Sequence, residues 1–167
     1  MLEQLFASSP EVIQQLKDDH RRVETLFEAY ENAKGQAKKK TAQRVVEELT
    51  VHASIEERIV YPALRKAFDD GHAINEAIEE HHLVHVLLKE LKRLSLGQTF
   101  DAKFQVLKEL IQHHVKEEEG EVFPAAEKEK TIKWEALNRQ ARRVRMRHRP
   151  RLRKPRSQSR SGLARAA

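Results

Sequence analysis

Two stretches decide how this chain is read: HASIEERIVYPA, from His52 to Ala63, and HVKEEEGEVFPA, from His114 to Ala125. They are copies about 60 residues apart. In both, Glu follows His at +4 (Glu56, Glu118) and again at +5 (Glu57, Glu119). An aromatic stands at +9 (Tyr61, Phe123), Pro at +10 (Pro62, Pro124) and Ala at +11. Upstream of each copy lies a second matching pair, DDHRRVETLFEAY from Asp18 and EEHHLVHVLLKEL from Glu79. There two acids precede His20 and His81, and Val23 and Val84 follow at +3. His20 precedes His52 by 32 residues and His81 precedes His114 by 33. A fixed repeat of this kind marks a duplicated structural unit, here a helix pair repeated about a pseudo-twofold axis.

The rest of the sequence fits helices. Gly and Pro number five each among 167 residues and aromatics are 5%, so breakers and strand-favouring residues are scarce. The first helix is expected from Ser8, with Glu11 in the capping-box position and Pro10 in the first turn, to about Glu31. The second runs from about Thr41 to Phe68 and stops at Asp69-Asp70-Gly71, with Gly35 and Lys38 to Lys40 in the preceding connection. The third runs from about Ala73 to Leu94 and the fourth from Thr99 or Phe100 to about Lys128. Pro62 and Pro124 each free a carbonyl four residues back and should kink helices two and four. The expected fold is all-α, an up-down-up-down four-helix bundle over residues 8–130. A short accessory helix lies within 131–147, docked by Trp134 and Leu137. A disordered Arg-rich tail occupies 148–167.

At about 100° per residue, His52 and Glu56 lie about 40° apart on one helix face, and Ile59 and Ala63 continue that stripe. His114 and Glu118 repeat the arrangement with Val122 and Ala125. His20 shares a stripe with Leu16, Val23 and Phe27, and His81 with Val84 and Leu88. Four imidazoles and two carboxylates thus point into an apolar core, which is costly unless each is paired or bound to metal. An ion-pair cluster is one solution and a metal the other. Imidazole with carboxylate suits iron, manganese, zinc or copper. Six donors exceed a single tetrahedral zinc. They suit two metals, with Glu56 and Glu118 as bridges and His20, His52, His81 and His114 as terminal ligands.

This pattern, with its EERIVYP and EEGEVFP signatures, resembles the hemerythrin HHE cation-binding domain family over roughly residues 8–130. The resemblance implies a bundle holding two non-haem iron ions, oxo- or hydroxo-bridged, with manganese or zinc as alternatives. It also implies binding of O2 or a related diatomic or peroxide ligand, for sensing, storage or stress response. In oxygen-carrying members the third helix supplies two histidines four apart, so His85 is either a seventh ligand or a neighbour of the ligands. Glu24, its counterpart after His20, is a candidate hydrogen-bond partner for a ligand imidazole or for His85. Glu57 and Glu119, about 140° from their histidines, are expected in solvent. His82 and His113, which point about 100° away from the site stripe, are expected at the surface or at a helix interface. Tyr61 is expected in a packing role, with a hydrogen-bonding phenol as the alternative.

The formal charge of +6 hides two halves. Residues 1–138 carry 20 Lys/Arg and all 26 Asp/Glu, whereas residues 139–167 carry eleven Arg, one Lys and no acid. The segment Arg139 to Ala167 is therefore a candidate contact for nucleic acid or an anionic surface. Cysteine is absent, which excludes disulfides, thiolate metal sites and thiol nucleophiles. No apolar run approaches a membrane span, and the N-terminus lacks a secretory pattern, so a cytoplasmic location is the expectation. No catalytic base or nucleophile is evident. A binding protein is favoured over its alternatives, a di-iron enzyme consuming peroxide or oxygen and a metal-responsive regulator with a nucleic-acid-binding tail. Oxidases of the ferritin type use two Glu-x-x-His motifs, and this chain has one, Glu79-x-x-His82, off the site stripe.

Overall fold

The computed structural model describes residues 9–68 and 71–148. Four rods run up, down, up and down. Helix α1 spans Glu11–Asn32. The second rod is α2 (Gly35–Ile55), one π-helical turn (Glu56–Val60) and α3 (Tyr61–Ala67). The third is α4 (His72–Leu91). The fourth is α5 (Gln98–Glu117), a π turn (Glu118–Val122) and α6 (Phe123–Lys128). A fifth helix, α7 (Trp134–His148), packs across α1 and α2.

The two prolines do not simply kink their helices. Each is preceded by a five-residue π turn that begins at equivalent positions of the repeat, Glu56 and Glu118. Proline lacks the N–H that would bond four residues back, and the wider turn absorbs that loss. It also inserts one residue into the helical count, which rotates everything downstream by about 100°. The inward stripe therefore passes from His52 and Glu56 to Tyr61 and Leu64, with Ala63 only partly buried. In the other copy it passes from His114 and Glu118 to Phe123 and Ala126, and Ala125 faces solvent rather than the core.

Two helix starts differ from expectation. Helix α1 begins at Glu11 with Pro10 extended at its N-cap (φ −50°, ψ 140°). The residue before a proline is disfavoured in the helical region, so Ser9 cannot extend the helix backwards. Ser8 lies outside the described residues, and no capping box forms at Glu11. Asn138 of α7 accepts the Val12 N–H at 2.9 Å instead, and Glu11 pairs with Arg142. Helix α2 begins at Gly35, whose φ of +51° suits glycine, so the Lys38 to Lys40 run is helical. Lys38 pays no isolation cost there: its ammonium is 2.9 Å from Asp101 and 4.6 Å from the centre of the Tyr30 ring. The expected stop at Asp69-Asp70 and the tail expected from 148 lie outside the described residues, except that His148 closes α7.

The apolar interior forms two layers. One contains Val12, Ile13, Leu16, Ile55, Leu64, Ile74 and Phe123, and α7 covers it with Leu137 and Ala141 while Trp134 packs at its edge. The other contains Val23, Phe27, Leu49, Val84, Leu88, Phe104 and Leu107. His20, His52, His81 and His114 fall between these layers along every rod. The polar centre is thus enclosed above and below by hydrocarbon.

Candidate metal centre

Each rod delivers one buried histidine, and the two π turns each deliver one buried glutamate. Exposure is 7% or less at His20, His52, His81 and His114, and 0–1% at Glu56 and Glu118. The imidazoles come in two facing pairs. His20 and His52 place their Nε2 atoms 3.1 Å apart, and so do His81 and His114. The carboxylates span the pairs. Glu56 Oε2 is 3.0 Å from His52 Nε2 and 3.3 Å from His81 Nε2. Glu118 Oε2 is 3.4 Å from both His20 Nε2 and His114 Nε2. One ligand atom from each of His20, His52, Glu56 and Glu118 falls within 4.8 Å of the others, and the same holds for Glu56, His81 and His114.

The outer nitrogen of every histidine meets a carboxylate. His20 Nδ1 donates to Glu119 at 2.8 Å and His81 Nδ1 to Glu57 at 2.9 Å. His114 Nδ1 donates to Glu80 at 2.7 Å, and His52 Nδ1 faces Asp19 at 3.5 Å. These partners obey the repeat: Asp19 and Glu80 immediately precede the first histidines, and Glu57 and Glu119 follow the bridging glutamates. A carboxylate on Nδ1 holds the proton there and leaves the Nε2 lone pair aimed inward, which is how metal-binding histidines are oriented. Glu57 and Glu119, expected in solvent, are therefore part of the centre. The 140° angle was measured from the histidine on the same helix, whereas each glutamate reaches a histidine on the neighbouring one. In the sequence, Asp19 and Glu80 are marked only as the second of the two acids preceding His20 and His81.

His85 is a neighbour of the centre and does not enter it. Its side chain is 47% exposed, and Nε2 donates to Glu57 at 2.6 Å. Glu24 touches neither an imidazole of the centre nor His85; it accepts a hydrogen bond from Gln112 at 2.9 Å. His82 and His113 are exposed, and His113 bonds Glu80 at 3.0 Å. Tyr61 does more than pack. Its hydroxyl donates to Glu118 Oε1 at 2.8 Å and lies 3.3 Å from His81 Nε2 and His114 Nε2. Phe123, its counterpart, lies parallel to His20 with ring centres 6.0 Å apart.

The two buried carboxylates need positive charge beside them. Burial and the nearby Glu118 charge push the Glu56 carboxyl up, yet His52 and His81 hold it below its ordinary value. Burial likewise opposes ionisation of Glu118, which His114 and His20 hold well below. Burial disfavours a charged His52, but Glu56, Asp19 and Glu118 lift it to about 10. Against the same burial, Glu118 and Glu80 lift His114 well above the usual range. Protons on the imidazoles balance the carboxylates where no metal does. Glu56 Oε1, Glu56 Oε2 and Glu118 Oε2 are nevertheless buried without a well-aligned hydrogen bond, although imidazole nitrogens stand 3.0–3.4 Å from the two Oε2 atoms. Orphaned carboxylate oxygens cost more than 1 kcal/mol each, and metal ions between the pairs would engage them. The donor set, two imidazoles per position and two shared carboxylates, fits two such ions.

A helical bundle with two facing histidine pairs spanned by two carboxylates defines a metal-binding class of protein. The profile of the hemerythrin HHE cation binding domain matches residues 11–126, and this chain belongs to that family. A crystal structure of a hemerythrin HHE cation binding domain-containing protein, the Rv2633c homolog from Mycobacterium kansasii, shares the fold. The TM-score is 0.66 at 23% identity, covering 85% of this chain and 90% of that one. A curated relative, described as a DNA nickase from Nostoc sp. (strain PCC 7120 / SAG 25.82 / UTEX 2576), is 26% identical over 125 residues. The match takes in 71% of this chain and 35% of the relative, so this chain spans about a third of that protein's length. Among the described residues no helix is long and apolar enough to cross a membrane.

Proposed function

We propose that the centre holds two iron ions, with His20 and His52 on one, His81 and His114 on the other, and Glu56 and Glu118 across both. It then binds O2 or a related small diatomic or peroxide ligand. Manganese or zinc would fit the same donors. Bound iron would supply the reversible electron exchange that such a ligand needs.

The observation that carries this reading is the space beside the imidazoles. A cavity of about 10 Å³ lies between the four histidines and an apolar wall of Val23, Leu49, Val84 and Ile111. That volume is on the scale of about one water-sized probe, which suits a ligand of a few atoms. The apolar wall keeps bulk water away from the centre. Tyr61 keeps its hydroxyl proton on Glu118, and Glu57, Glu80, Glu119 and Asp19 fix the imidazole faces. A surface groove of about 280 Å³ lined by Arg21, Glu24, Gln112 and Glu119 reaches His20 and is the entry route. The test is an absorption spectrum of the iron-loaded protein cycled between oxygenated and deoxygenated buffer. A charge-transfer band that appears and disappears reversibly supports ligand binding. Iron that oxidises once without cycling moves the reading to an enzyme that consumes the oxidant.

A second reading adds a polyanion contact. Arg139, Arg143 and Arg147 stand four residues apart on the exposed side of α7, ahead of the basic segment 149–167. The relative described as a DNA nickase is consistent with nucleic acid as the partner. Replacing the three arginines by Gln should weaken DNA binding and flatten its salt dependence. Unchanged binding would count against it.

A further inference from the structure

The two metal positions follow the repeat in their four histidines and two bridging glutamates, and they part company in the residues around them, most sharply at one pair. Asp19 and Glu80 are equivalents, yet they are held differently. Glu80 is on the bundle surface side of His114, bonds it at 2.7 Å, and shares its other oxygen with His113 at 3.0 Å. Asp19 is 2% exposed and is gripped by two guanidinium groups. Arg145 of α7 places two nitrogens on it, 3.1 Å from Oδ1 and 2.7 Å from Oδ2, and Arg22 donates to Oδ1 at 2.8 Å. The same Oδ2 that Arg145 takes is the one facing His52, at 3.5 Å. The other three imidazoles meet their carboxylates at 2.7–2.9 Å.

We infer that Arg145 is a positioning residue for the metal centre: it draws Asp19 off His52 and makes the His20/His52 position the weaker of the two. The physical basis is competition for one oxygen. A bidentate, charge-assisted guanidinium pair outcompetes a neutral imidazole N–H. Less negative charge then reaches His52 through Nδ1, so its Nε2 is a poorer donor. A fixed positive charge close to a cation site lowers cation affinity further. Among the described residues no guanidinium bonds Glu80, and α7 packs chiefly on α1 and α2. The fifth helix, which lies outside the repeat, thereby breaks the symmetry of the centre.

This inference rests on the metal-centre reading. Zn(II) alone is titrated into metal-free full-length protein by calorimetry, and imidazole nitrogen NMR reports which histidines respond at each step. In wild type the His81/His114 pair fills first. Arg145→Gln tightens the His20/His52 step by about three- to tenfold and moves the His52 Nδ1 proton downfield, with the other step unchanged. Arg145→Lys, which keeps the charge, stays close to wild type. If Arg145→Gln loses its helical circular dichroism, Arg22→Gln on the exposed side of Asp19 gives the same direction with a smaller change. Weaker binding, no change, or an equal change at both steps overturns the assignment. Wild-type protein that takes up no Zn(II) overturns the metal-centre reading with it. Two wild-type steps without the selective change overturn this inference alone.

Discussion

The two halves of the bundle carry the same donors in different surroundings. Around His81 and His114 the setting is polar and tight: Glu57 and Glu80 at 2.9 and 2.7 Å, and the Tyr61 hydroxyl within 3.3 Å of both Nε2 atoms. Around His20 and His52 the aromatic is Phe123, which has no hydroxyl, and Asp19 is shared with Arg145 and Arg22. Duplication supplies a symmetric set of ligands. A Tyr-for-Phe difference at equivalent positions and a fifth helix beside Asp19 make the set unequal. The ligands define what the centre can hold, and the unequal residues set how each half behaves.

The largest expected effect removes the comparison altogether. Glu56→Ala or Glu118→Ala should lose both metals together, because each carboxylate faces a histidine from both pairs. Metal analysis checks this, and a variant retaining one ion per chain would contradict bridging. Next, Glu80→Gln should weaken metal binding at His114 by about 10- to 100-fold, with Asp19→Asn costing less at His52, where the contact is already long. Competitive chelator titration separates the two.

Tyr61→Phe removes one of the two differences between the halves. It removes the donor to Glu118 Oε1 and should destabilise the metal-free protein by about 1–3 kcal/mol while leaving two metals per chain. Thermal unfolding with and without metal measures it. The metal-free protein should also lose stability as pH rises from about 6.5 toward 10. His52 is raised to about 10, so the folded state holds a proton across that window that the unfolded state has released. Metal in the protons' place should abolish that decline. The smallest effect belongs to His85→Ala, which should leave metal content at two, since the side chain bonds Glu57 and packs on the edge of His81 without entering the centre.

The repeat made the bundle and the six inward residues readable from sequence, because helical spacing alone places His52 with Glu56 and His114 with Glu118. What it hid has one physical source. Spacing reports which face of its own helix a residue occupies, and it is silent on what stands opposite. Glu57 and Glu119 looked solvent-facing on their own helices and meet histidines on the next. Ala125 looked inward until a π turn, forced by Pro124, rotated the stripe to Phe123 and Ala126. Arg145 lies outside the repeat, and nothing in its local sequence links it to Asp19, 126 residues away.

Metal content per chain tests the central claim most directly, measured on full-length protein purified without metal affinity and loaded anaerobically with Fe(II). Two ions per chain, both released by Glu56→Ala with the helices intact, is the result this structure predicts. A folded wild-type protein that holds no ion, or one ion indifferent to Glu56, would contradict it and leave the six buried groups as an ion-pair core.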